Sequence, residues 1–173
     1  MRNFDLPDFS IGVASSHLTG NSEAIGREFK AGADFVSLKT TNGQSTRGQH
    51  ATCDPHCREP EDRRIAPIPP FSAVNCETSF GYDFETYLKL LTEALQNNRP
   101  LLISVGYEVD EIKRTIHEIK EVVKDHPECP VAFELSLHHA QDKSVVVNRI
   151  KAAVEAAEPY PLYVKISYYG GDY

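Results

Sequence analysis

The sequence predicts an α/β fold in which parallel strands are joined by crossover helices. Three observations predict it. Strand-like and helix-like apolar periods alternate along the chain. The stretch Val131–Gln141 passes from a period of two (Phe133, Leu135 and Leu137 against Ala132, Glu134 and Ser136) into a polar turn. A helical pattern at Val146, Ile150 and Val154 then returns the chain towards a neighbouring strand. Polar residues thus gather just after strands, which is where β/α proteins place their chemistry.

Each element has its own local reason. Ser10–Ser15 is a short apolar run between turn residues and reads as the first strand. Asn21 or Ser22 caps a helix with Ile25 and Phe29 on one face, which stops near Gly32. Phe35–Lys39 is the second strand, with Lys39, Thr40 and Thr41 at its carboxyl end. Asp83 caps a helix marked by Leu88, Leu91 and Leu95. Leu101–Val105 is a buried strand. Val109, Ile112, Ile116, Ile119 and Val123 recur at intervals of three and four, an amphipathic helix whose first turn carries Asp110 and Glu111. Val131–Leu137 and Leu162–Ser167 are the fourth and fifth strands. About five parallel strands with crossover helices fit two architectures, a flavodoxin-like open sheet or part of a (β/α)8 barrel. A full barrel takes about 250 residues, and the chain has 173.

A single α/β domain over residues 1–173 is expected, interrupted by an irregular insertion at about 42–70 that is polar, rich in proline and charge, and without apolar period. The net charge of −7 and the absence of a Lys/Arg-rich run argue against nucleic acid as a partner. No apolar run approaches the roughly 20 residues of a membrane span, and no signal-peptide pattern opens the chain. A cytoplasmic location is therefore expected, with Cys53, Cys57, Cys76 and Cys129 as free thiols. His50, Cys53, His56 and Cys57 offer imidazole and thiolate close together. Their spacing is not that of a zinc finger or ribbon, and no metal site is assigned. Glu134 reads as a paired charge of a barrel interior.

The strand ends, taken in order, resemble the dihydroorotate dehydrogenase family of FMN-dependent barrel oxidoreductases. The resemblance is carried by Ile11–Ser15, Gly32–Thr40, Asn75 with Gly81–Phe84, Leu101–Gly106, Phe133–Leu137 and Leu162–Ile166. It implies a partial (β/α)8 TIM-type barrel resembling the amino-terminal part of that fold. It implies FMN contacts at Ser15, Lys39, Thr40 and Lys165, and pyrimidine contacts at Asn75, Ser136 and Gln141. The family writes Asn-Leu-Ser-Cys-Pro-Asn where this chain has Ser136-Leu-His-His-Ala-Gln141, so its base falls at His139. Imidazole is a competent base near neutral pH. The family's Gly-rich FMN phosphate turns follow later strands, which have no counterpart before Tyr173. The implied reaction is oxidation of dihydroorotate to orotate, impaired in this chain alone. The other reading is a non-catalytic truncated barrel serving as a binding or assembly module. In either case unpaired edge strands predict a homo-oligomer or a partner chain.

Overall fold

The computed structural model describes residues 4, 6–14, 19–44, 83–106, 108–138 and 143–167. Strand and helix alternate: β1 Gly12–Val13, α1 Ser22–Lys30, β2 Phe35–Ser37, α2 Phe84–Leu95, β3 Leu101–Gly106, α3 Val109–Val123, β4 Val131–His138, α4 Lys143–Ala157 and β5 Leu162–Ser167.

The helix starts follow from side chains that satisfy orphan amides. Asn21 Oδ1 accepts the Ala24 N–H at 2.8 Å, and Asp83 Oδ1 accepts the Thr86 N–H at 2.7 Å. The Glu111 carboxylate reaches back to the Glu108 N–H at 3.1 Å and fixes the entry to α3. Gly32 has φ +103° and turns the chain out of α1, as expected of a glycine there.

The five strands form one parallel sheet in the order β1-β2-β3-β4-β5. β3 and β4 pair from Leu101↔Val131 to Gly106↔Ser136, and β4 and β5 from Phe133↔Leu162 to His138↔Ser167. Spatial order therefore equals chain order. A flavodoxin-like sheet reverses direction within its strand order and carries helices on both faces. Here Val36, Leu38, Leu101, Ile103, Val105, Val131, Phe133, Leu135 and Leu137 pack into one core with residues of all four helices. The alternate residues Phe35, Leu102 and Ala132 belong to a separate cluster closed by Phe4 and Leu6. The helices therefore cover one face only, and the sheet curls round the other. This is the arrangement of part of a (β/α)8 barrel, and the open-sheet alternative is excluded.

The core on the helix side is continuous. Ile25, Leu91, Ile103, Ile112, Ile116 and Phe133 are fully buried. Each such side chain contributes roughly 1.5–3 kcal/mol by leaving water. Phe4 fills the amino-terminal end of the inner face, its ring centroid 6.4 Å from that of Phe35 and 6.0 Å from that of Tyr163.

Several expected bounds change. The first strand is two residues long, since only Gly12 and Val13 pair with Phe35 and Val36. Regular pairing of the second strand stops at Ser37, whereas Lys39 was the expected end. The fourth runs one residue further, to His138. The expected buried stripe of α4 is also displaced. Val154 is 56% exposed, and the helix instead buries Ala152, Ala153 and Ala157. Small side chains permit close approach to α3 and β4, so Val146 and Ile150 sit at the margin of the contact.

The two edges of the sheet differ from the rest of the surface. The large exposed hydrophobic side chains among the described residues are Phe9, Ile11, Val145, Val147, Val154, Tyr163 and Val164. All flank β1 or lie on α4 and β5.

Candidate functional site

The inner face changes character along the strands. Its amino-terminal end is apolar, with Phe4, Leu102 and Ala132. Its carboxyl-terminal end is polar, and the change begins where β2 loses its regular pairing.

The Leu38 N–H donates to Leu102 O at 2.9 Å, and the Thr41 N–H donates to Ser104 O at 3.1 Å. A regular parallel ladder advances two residues on both strands between such bonds. Here one strand advances three and the other two, which makes a β-bulge at Lys39 and Thr40. Pairing resumes at once, with Thr41 bridged to Val105 and the Gly106 N–H donating to Thr41 O at 3.1 Å. The alternation of Phe35 and Ser37 carries Lys39 to the inner face. The bulge turns Thr40 the same way, because its Oγ1 lies 2.8 Å from Ser104 Oγ. Ser104 itself alternates with Ile103 and Val105, which face the helices.

Ser104 Oγ donates to Glu134 Oε1 at 2.9 Å, from the strand next along. A serine hydroxyl has one proton, so with Glu134 ionised the contact to Thr40 is one in which Thr40 Oγ1 donates. Three neighbouring strands are thus linked at one level by a directed chain, Thr40 to Ser104 to Glu134. Thr40 and Ser104 are buried, and Glu134 is 9% exposed. A buried carboxylate requires hydrogen-bonded partners, and Ser104 supplies one.

The next level of the inner face holds Gly106, Ser136 and Lys165, in register across β3, β4 and β5. Close approach favours glycine at this position. A Cβ at this position would lie 3.2 Å from both Thr40 Cγ2 and Ser136 O. Below the chain of hydroxyls, Ser37 is buried and its Oγ has no hydrogen-bond partner among the described residues.

Of the residues the sequence singles out, Lys39, Thr40, Ser136 and Lys165 come together at the carboxyl-terminal end of this face. Lys39 is 1% exposed, Ser136 is buried and Lys165 is exposed. Ser15, Asn75, His139 and Gln141 lie outside the described residues, as do His50, Cys53, His56 and Cys57. Among the described residues no group of three or more His, Cys, Asp or Glu side chains could hold a metal ion. The sequence reading missed Ser104. Its signal was present, since it is the one polar residue of Leu101–Val105 and stands fourth in its strand, as Glu134 does in Val131–Leu137.

Cys129 lies apart from this rim, just ahead of β4, with Sγ donating to Arg99 O at 3.2 Å. Burial pushes its thiol up to about 11.

No family model matches the chain. No curated protein matches it either. Among solved structures, a glycoside hydrolase family 5 protein from Bacteroides vulgatus superposes with a TM-score of 0.49 at 11% identity, covering 90% of this chain and 35% of that one. The chain thus spans about a third of the length of that protein. No helix among the described residues is long and apolar enough to cross a membrane.

Proposed function

We propose that the chain is a dihydroorotate dehydrogenase-like half-barrel whose inner rim takes FMN and a dihydropyrimidine, and that it serves the oxidation of dihydroorotate to orotate. The observation that carries this reading is the bulge after β2, which sets Lys39 and Thr40 together on the inner face beside Ser104. A cation and a hydroxyl at that strand end are what the resemblance requires for contacts to the flavin. Lys165 supports it from the far side of the same face, where a second cation can stabilise negative charge on a reduced flavin ring. The donor set fits the ring portion of the group. Among the described residues no glycine-rich turn follows a strand in the manner needed for its phosphate.

When bound, FMN would supply the hydride acceptor for C6 of the substrate. His139 takes the proton from C5, and Asn75, Ser136 and Gln141 hold the pyrimidine. Lys39 and Lys165 balance charge, and Ser15 and Thr40 fix the ring. The cytoplasm is the compartment that suits the reaction and the buried free thiol of Cys129.

The exposed apolar side chains at both sheet edges favour a second reading, a truncated barrel that acts as a binding or assembly module through a second copy or a partner chain. One titration separates the two. Purified chain is titrated with FMN and followed by flavin fluorescence and visible absorbance. Saturable binding that Lys39→Ala weakens by about tenfold or more supports the flavoprotein, the loss expected for one charge-assisted hydrogen bond. A colourless protein that does not quench or shift FMN overturns it and leaves the module.

A further inference from the structure

We propose that Glu134 and Ser104 are positioning residues that make Thr40 a hydrogen-bond acceptor, so that the rim selects a heterocyclic lactam or imide presenting a ring N–H. The inference rests on the reading of this rim as a ligand site, and it names what that site discriminates.

The argument is one of proton count. The Glu134 carboxylate can only accept, and Oε1 takes the proton of Ser104 at 2.9 Å. Ser104 Oγ is then left with lone pairs alone, and at 2.8 Å its partner Thr40 Oγ1 must donate. The Thr40 proton is thereby committed inwards to the strand next along. What Thr40 Oγ1 retains for any other partner is acceptor capacity. A threonine outside such a chain rotates its hydroxyl and serves donors and acceptors alike. This one is not free to do so.

The surroundings keep the arrangement from relaxing. The β-bulge sets the Thr40 side chain inward. Thr40 Cγ2 and the Gly106 backbone are close enough that an added Cβ at Gly106 would stand 3.2 Å from the methyl. Glu134 and Ser104 face each other in register on adjacent strands, so the carboxylate is delivered by the sheet and not by a loop. Glu134 lies too deep to be a surface charge, and its role at the rim is exerted through Ser104. The ligand class follows. A ring amide N–H meets an acceptor, whereas an N-alkylated ring of the same shape leaves that acceptor buried and unsatisfied.

The test uses the full chain and two probes, FMN and its N3-methyl derivative, with affinities measured by fluorescence titration. Wild type is expected to prefer FMN by about tenfold or more, the usual cost of one unmade buried hydrogen bond. Ser104→Ala and Glu134→Leu, which free the Thr40 hydroxyl to rotate, are expected to lower the ratio of the two affinities while each probe still binds. Thr40→Val, which removes the acceptor, should bring the ratio close to one, and Thr40→Ser should keep the preference. Helix content by circular dichroism identifies any variant that has failed to fold, and the remaining variants carry the comparison. A ratio near one in wild type, or a ratio that Ser104→Ala and Glu134→Leu leave unchanged, overturns the proposal while the flavin site stands. Binding of neither probe by wild type removes the flavin site and the proposal together.

Discussion

The thiolate is the reactive form of cysteine, and burial in apolar surroundings withholds it. Cys129 is 5% exposed, and burial raises it from an ordinary 9.0 to about 11. Iodoacetamide at pH 8 is therefore expected to leave Cys129 unmodified in the native chain and to alkylate it after unfolding, as read by peptide mass mapping. Rapid native labelling of that peptide would contradict its packing. The linkage has the same sign. The folded state disfavours the thiolate, so stability is intact below 9.0 and declines as pH rises towards 11. At this scale the rim was partly legible. Lys39, Thr40 and Ser136 were singled out by the family resemblance, and they lie towards the carboxyl ends of their strands. Ser104 could not be assigned a role from its strand alone, because its importance comes from Glu134, thirty positions away in sequence.

Caps are where element and solution chemistry meet. The Thr86 backbone N–H bound to Asp83 holds that carboxyl below its usual 3.8, with help from the Thr86 side chain. A depressed acid contributes stability that is fully present above its unfolded value and is lost as pH falls through the folded one. Thermal melts between pH 5 and 2 are expected to show a smaller fall in midpoint for Asp83→Asn than for wild type, because the amide still caps α2 but does not titrate. Equal falls would mean that the Asp83 cap carries none of the acid sensitivity. The capping residues Asn21 and Asp83 were readable because the motif is local in sequence. The bulge was not. Lys39-Thr40-Thr41 holds no glycine or proline, and the extra residue is forced by the pairing of Thr41 with Val105. The stripe of α4 was misread for a related reason. Val154 has the right spacing, yet Ala152, Ala153 and Ala157 make the contact because small side chains let α3 and α4 come close.

For the whole molecule, the parallel order was legible from alternation alone, since crossover helices dictate parallel strands. The choice between open sheet and curled sheet needed coordinates, because apolar period does not say which face a helix covers. The uncovered edges have a measurable consequence. Sedimentation velocity at rising concentration is expected to show association, and the double variant Val154→Glu with Val164→Lys is expected to shift the chain to a smaller species by charging the α4–β5 flank. A wild-type chain that sediments as a dispersed monomer throughout would mean that these side chains tolerate water. One further consequence lies in the succession of the strands. Each ladder joins strands that follow one another in the chain, so the sheet can grow stepwise from an early βαβ nucleus. The Phe4–Tyr163 ring contact is the exception, for it joins the two extremes of the described chain. It must await the arrival of β5, and it is expected to form late in folding and to open early under mild denaturant.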